Sequence, residues 1–309
     1  MKLLVQPQSG LDPVVAAIRS ATTRVDIVIF RFDVKEVQKA LESAVQRGVS
    51  VHALIAHTNR GGEKRLRKLE VALLEKGVTV SRTGDDFVRY HGKLMIIDGK
   101  TLHLFGFNYT YLDMLKSRSF GVITTQSAVV QEALRLFEAD TLRQPYVPAS
   151  DTLVVSPENA RARLAAFLKG ARKELLIYDP KIADAQMIRL LQDRAKAGVS
   201  IRVLGKITSR KEALQVEKLP KLRLHVRAIL RDGHLLFIGS QSLRPLELDR
   251  RREVGLIMRD PKIIKQFRAV YDADWSLTDH ARKEERVARQ ADKPAGKGEE
   301  EHETELAAK

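Results

Sequence analysis

The 309-residue chain predicts an α/β fold built from two similar lobes, and three observations carry that expectation. Hydrophobic runs of strand length alternate with amphipathic helical stretches, the pattern of layered α/β structure. Leu3, Val5 and Pro7 recur as Leu153, Val155 and Pro157, and Gly48-Val49-Ser50-Val51 recurs as Gly198-Val199-Ser200-Ile201 at the same offset of 150. His91, Lys93 and Asp98, spaced H-x-K-x4-D, recur as His225, Arg227 and Asp232. So long a repeat is no solenoid unit; it is duplication of a whole globular lobe, large enough to bury its own core.

In the first lobe, Leu3 to Val5 and Val25 to Phe30 read as strands around a helix carrying Val14, Val15 and Ile18 on one face. Val34 to Gln46 forms a second helix, closed by Gly48 before the strand Val49 to Ala56. Arg60 to Leu74 follows as a basic helix with Leu66, Leu69 and Leu73 inward, and Val78 to Val80 as a strand. Leu94 to Ile97 and Leu102 to Phe105 flank an Asp98-Gly99 turn, a hairpin signal. An extended segment there sets His91 and Lys93 on alternate positions, facing the same side. Ser127 to Ala139 is the closing helix.

Pro145 and Pro148 mark Leu142 to Asp151 as the linker, which places the lobes at 1–147 and 148–280. The second lobe repeats the plan through Ala160 to Lys169, Leu175 to Tyr178, Ala185 to Lys196 and Val199 to Leu204. Arg227 to Leu230 and Leu235 to Ile238 flank the Asp232-Gly233 turn, and Pro261 to Val270 closes the lobe. Residues 281–309 hold seven Lys or Arg against eight Asp or Glu, with few large apolar side chains, and read as a flexible or partly helical tail.

The formal charge of +15 therefore belongs to the lobes. It attracts polyanions without separating nucleic acid from an anionic membrane surface. The absence of cysteine excludes disulfides, thiolate nucleophiles and cysteine-based metal sites. His52, His57, His103 and His234 fit no metal-ligand spacing, and Gly61-Gly62 lacks the G-K-[ST] ending of a phosphate-binding loop, so neither metal nor cofactor is expected. Gln6, Gln8 and Asp12 interrupt the opening apolar run, so no signal peptide or membrane span is expected there. The expected location is cytoplasmic, with peripheral contact to an anionic inner membrane as its variant.

The duplicated histidines suggest two imidazoles meeting at one phosphate. One attacks phosphorus, the other protonates the leaving oxygen, and Lys93 and Arg227 neutralise the phosphoryl oxygens; such a scheme needs no metal. Asp98 and Asp232 have a plainer reading as turn residues, because Asp-Gly explains a tight turn unaided.

Both halves resemble the phospholipase D superfamily, which includes bacterial cardiolipin synthase-like proteins and whose doubled signature is H-x-K-x4-D-x6-G-S-x-N. The resemblance spans about residues 1–280. It implies two mixed-sheet α/β lobes related by a pseudo-twofold, with the active site between them and turnover through a phosphohistidine. Carried onto this chain, the catalytic set is His91, His225, Lys93, Arg227, Asn108, Glu253, Asp98 and Asp232. Lys93, Asn108, Arg227, Gly239, Ser240 and Ser242 would hold substrate. The two copies depart from the signature differently: Phe105 and Gly106 stand where the first should have Gly-Ser, and Ser242 replaces the second asparagine. Arg118-Ser119-Phe120-Gly121-Val122 parallels Arg252-Glu253-Val254-Gly255-Leu256, where the family often sets an acid beside a histidine; Glu253 meets that pattern and Ser119 does not. His91 is the candidate nucleophile and His225 the candidate acid/base, although near symmetry allows the reverse.

The expected substrate is a phospholipid or another phosphodiester, hydrolysed or transferred to an alcohol. Metal-independent nuclease action is the main alternative, favoured by the basic body; the cluster Arg60, Lys64, Arg65, Arg67 and Lys68 reads as a solvated face or as a surface for nucleic acid or anionic lipid. A third reading is a catalytically weak nucleic-acid or anionic-lipid binding protein. Two half-sites in one chain allow a monomer to act, with a dimer as the alternative.

Overall fold

The computed structural model describes residues 1–57, 63–208 and 214–291; Arg60, Gly61-Gly62 and the end of the tail lie outside them. The first lobe runs β1 (Lys2–Gln6), α1 (Asp12–Ser20), β2 (Arg24–Ile29), α2 (Lys35–Gln46), β3 (Ser50–Ile55), α3 (Glu63–Leu74), β4 (Thr79–Arg82), β5 (Arg89–Tyr90), β6 (Leu94–Ile97), β7 (Thr101–Phe105), α4 (Tyr111–Lys116), β8 (Ser117–Thr124) and α5 (Ser127–Leu142). The second runs β9 (Leu153–Ser156), α6 (Ala160–Lys169), β10 (Glu174–Ile182), α7 (Ala185–Lys196), β11 (Ser200–Ile207), β12 (Gln215–Glu217), β13 (Arg223–Leu224), β14 (Arg227–Arg231), β15 (Leu235–Gly239), α8 (Pro245–Asp249), β16 (Arg251–Met258) and α9 (Pro261–Ser276). A further helix, α10 (Asp279–Ala291), opens the charged tail.

Among the described residues these strands form two eight-stranded mixed sheets. The first has the order β1-β8-β7-β6-β2-β3-β4, the second β12-β11-β10-β14-β15-β16-β5 with β9 on β16. In each lobe the parallel strands lie at one side (β2/β3/β4 and β10/β11/β12), and the histidine hairpin pairs antiparallel with the first of them. Each lobe also gives a two-residue strand to the other: β5 pairs β16, and β13 pairs β8.

Several helices and strands depart from the sequence expectation. The closing helix of the first lobe continues to Leu142, where Arg143 turns it off in the left-handed conformation (φ 55°), so Leu142 belongs to the helix rather than the linker. Its counterpart α9 runs on to Ser276. The sequence also missed α4 and α8, six and five residues long, because two turns or fewer present too little periodicity to read. For β8 and β16 the reason is burial on both faces, which erases the alternation of a half-exposed strand.

The two faces of β10 show where the cores lie. Leu176 and Tyr178 join the large core shared with the first lobe, whereas Leu175 and Ile177 face a second core under α6 and α7. Period-two alternation is therefore buried on both sides, which is why the run reads as continuously apolar. Phe120 of β8 packs across the lobe boundary on Tyr178 and Phe267 at 5.6 and 5.2 Å between ring centroids.

Two buried ion pairs clasp the lobes, and they match under the repeat. Arg118 of β8 holds Asp274 of α9 at 2.7 Å, and Arg252 of β16 holds Asp140 of α5 at 3.0 Å. Each aspartate also accepts a tyrosine hydroxyl, Tyr178 at 2.6 Å and Tyr90 at 2.7 Å. A buried charge left without such partners would cost several kcal/mol (about 3–5), so these groups fix how the lobes meet.

Candidate active site

The exchanged strands deliver the histidines. His91 directly follows β5, and the N–H groups of His91 and Gly92 donate to the Arg252 carbonyl of the opposite lobe at 2.7 and 3.0 Å. His225 directly follows β13, and its N–H donates to the Arg118 carbonyl at 3.1 Å. Each histidine is thus tied to the other lobe's long strand, beside a clasping arginine.

The side chains repeat the exchange. His91 Nδ1 lies 2.7 Å from Glu253 Oε2, and its ring meets Phe30 edge-on at 4.7 Å. His225 Nδ1 lies 3.4 Å from Asp113 Oδ2, too long for a good hydrogen bond although close for an ion pair. Asp113 instead accepts from the Asn108 N–H at 2.9 Å, Asn108 Nδ2 at 2.6 Å and Arg223 Nη1 at 2.6 Å. The pair around His91 is consequently tighter than the pair around His225.

Two cations act on both rings. Lys93 is 1% exposed, donates from Nζ to the His91 carbonyl at 2.6 Å and sits 5.5 Å over the Phe30 ring. Arg227 donates from Nε to Ser242 Oγ at 3.1 Å, and its buried Nη1 has no protein partner, a donor that an anionic oxygen would satisfy. Burial, reinforced by Lys93 and Arg227, pushes His91 well below the usual imidazole range. For His225, burial and Arg227, with Lys93 adding to them, do the same against the pull of Asp113. Burial also lowers the Lys93 ammonium to about 7, and it raises the Glu253 carboxyl against the fields of Lys93 and Arg227. Burial would raise Asp113 too, but His225, the Asn108 N–H and Arg223 hold it below the usual carboxylate range.

The structure therefore brings together His91, His225, Lys93, Arg227, Asn108, Glu253 and Ser242. Ser240 lies just behind them, its Oγ accepting from the Val254 N–H at 3.1 Å beside Glu253. Asp98 and Asp232 are not brought there, which corrects their expected catalytic role. Both follow the far ends of β6 and β14, with φ of 53° and 51°. Asp98 Oδ1 accepts the N–H groups of Thr22, Thr23 and Arg24 at 3.1, 2.8 and 3.0 Å, and Asp232 Oδ1 does the same for Arg172, Lys173 and Glu174 at 3.1, 2.7 and 3.1 Å. Gly239 is a close-packed position: a Cβ there would come within 2.8 Å of Gly255 Cα on the neighbouring strand.

Asp113 is the acid that the repeat of Arg252-Glu253 does not reveal, because that repeat points to Ser119. Its signal was present, because Glu247 stands at the same offset of 134 that relates the two histidines. In the second lobe that position serves Arg251 instead, at 2.8 Å.

Two interlocked α/β lobes, each contributing a histidine that the other lobe orients, define the phospholipase D class of architecture. The chain belongs to the phospholipase D superfamily, in the family described as "Cardiolipin synthase, PLD-like domain", whose model matches residues 14–141 and 164–275. It is 24% identical over 299 residues to a polyphosphate kinase of Rhodopirellula baltica, an alignment covering 86% of this chain and 35% of that protein, so the chain spans about a third of the curated relative's length. The fold is similar to that of a polyphosphate kinase from Porphyromonas gingivalis (TM-score 0.73, 19% identity, 89% of this chain and 50% of that one). It is also similar to a phosphatidylserine synthase from Haemophilus influenzae (TM-score 0.68, 10% identity, 89% and 86%).

Proposed function

We propose that this protein is a phosphodiesterase or phosphatidyltransferase acting on phospholipids through a phosphohistidine on His91. The observation that carries the chemistry is the pair of buried imidazoles, each facing a carboxylate of the opposite lobe, with the charges of Lys93 and Arg227 acting on both rings. A neutral His91 that donates from Nδ1 to Glu253 keeps its Nε2 lone pair free for phosphorus. As the N–P bond forms and the P–O bond to the leaving group breaks, positive charge grows on the ring and Glu253 offsets it. His225 gives its proton to the leaving oxygen, then takes one from the water or alcohol that attacks the phosphohistidine and releases His91. Burial, Arg227 and Lys93 hold His225 well below the usual imidazole range; a phosphodiester anion beside it would cancel part of that field and raise the ring's affinity for a proton.

The family description supports a phospholipid substrate, as does the rim of the site. Leu112 and Leu115 of α4, the helix that carries Asp113, are 49% and 42% exposed, and Val88 beside β5 is 49% exposed. Apolar side chains on a basic body suit an anionic lipid surface. Among the described residues no helix is long and apolar enough to cross a membrane. A second reading, phosphoryl transfer at a phosphoanhydride, is favoured by the similarity to a polyphosphate kinase.

Purified protein tested side by side on labelled phosphatidylglycerol, cardiolipin, single- and double-stranded DNA, RNA and inorganic polyphosphate separates these substrates. The lipids should turn over fastest, with loss in folded His91→Ala and His225→Ala and a phosphatidyl adduct trapped on His91 when the wild-type reaction is quenched during turnover. Turnover of nucleic acid alone, or lipid binding that survives both substitutions without product, would refute the proposal.

A further inference from the structure

At the end of the sheets away from the histidines, a groove of about 1000 Å3 opens beside the start of α9. It crosses the lobe boundary, with Met1 and Gln126 on one side, but its cations come from the second lobe: Arg163, Arg231, Arg259 and Lys262. The internal repeat supplies a control. The corresponding first-lobe positions hold Pro13, Ile97, Thr125 and Ala128, so four positive charges occur on one copy only.

Two carboxylates also line the groove, and both are occupied. Asp151 is bound by Arg163 at 2.7 Å, while Asp260 caps α9 through the Lys262 and Ile263 N–H groups and meets the Met1 amino group at 3.5 Å. Among the described residues, Arg231, Arg259 and Lys262 form no salt bridge, although the neighbouring Asp232 carboxylate acts on Arg231 at longer range. Arg231 is nevertheless held in place: Nη1 donates to the Phe167 carbonyl at 3.0 Å, and the guanidinium lies 5.1 Å over the Phe167 ring. Gly170 makes that seat possible, since a Cβ there would come within 2.4 Å of Arg231 Nη1. Three cations without a salt bridge, around an apolar floor of Phe167 and Met258, form a pocket of small-ligand size for a compact anion of several charges.

We propose that this groove is a second anion site, separate from the histidine pair, which binds a chain of two or more phosphates such as a nucleoside triphosphate or inorganic tripolyphosphate carries. Arg231 and Arg259 offer planar donor forks to the phosphoryl oxygens and Lys262 a compact charge.

Calorimetric titration of the full chain with ATP, and separately with tripolyphosphate, tests this. The exposed double variant Arg259→Glu/Lys262→Glu should bind about tenfold more weakly or worse, while hydrolysing bis(p-nitrophenyl) phosphate at the wild-type rate. His225→Ala should bind as wild type does. Tighter binding of ATP than of tripolyphosphate would identify a nucleotide site with its base on the apolar floor, and equal binding a site for the phosphate chain alone. Undiminished binding in the double variant, or binding lost in His225→Ala, would overturn the proposal by placing the anion elsewhere.

Discussion

Glu253 and Asp113 face equivalent imidazoles at different reach, 2.7 and 3.4 Å, and on the proposed mechanism that difference would sort the histidines into roles. The tighter pair fixes a tautomer and suits a nucleophile; the looser one leaves its ring freer to exchange a proton. Glu253→Gln should therefore lower kcat on bis(p-nitrophenyl) phosphate by about a hundredfold or more, and Asp113→Asn by less, with melting temperatures showing both folded. Equal losses would remove the distinction. Lys93 adds a pH signature. With its ammonium at about 7, it is charged below that pH and neutral above, so kcat/KM for an anionic substrate should fall as pH rises through about 7. Lys93→Arg, charged throughout, should lack that alkaline fall even if its absolute rate drops; a profile unchanged by the substitution would exclude Lys93 as its source.

At the scale of elements, one aspartate at each hairpin turn ties that turn to the edge of the neighbouring strand. Asp98 accepts from three consecutive N–H groups, which holds its carboxyl below the usual range although burial opposes it. A depressed folded-state pKa means stability present above the unfolded value near 4 and lost as pH falls through the folded one. Asp98→Asn should cost about 1–2 kcal/mol near pH 7, modest because the site is largely hydrated, and leave kcat unchanged. A large loss of kcat at unchanged stability would return Asp98 to the catalytic set. The two-residue strands β5 and β13 matter out of proportion to their length, since each sets the backbone of the histidine that follows it.

For the whole molecule, the site exists only where the lobes meet, and the Arg118–Asp274 and Arg252–Asp140 pairs set that meeting. The Arg118 carbonyl accepts the His225 N–H while its guanidinium holds Asp274, so one residue joins clasp and site. Asp274→Ala strands a buried arginine and should destabilise the fold by about 3–5 kcal/mol. Activity should fall more than the remaining folded fraction explains, as denaturant titration and kcat measured on the same sample would reveal. Activity that simply tracks the folded fraction would show that the clasp serves stability alone.

The duplicated lobe plan, the histidine pair and Glu253 were all legible in the sequence, because duplication leaves offsets and chemistry leaves residue types. Asp113 was not singled out: its role depends on α4, too short to announce itself, and on a contact 112 positions away. The turn role of Asp98 and Asp232 was offered by Asp-Gly, but only the packed turns show those carboxylates far from the imidazoles. Local pattern thus determined which elements form and which groups can do chemistry. The exchange of β5 and β13, and with it the assignment of each carboxylate to the other lobe's histidine, was decided by tertiary packing, because no local propensity encodes which sheet a two-residue strand will join.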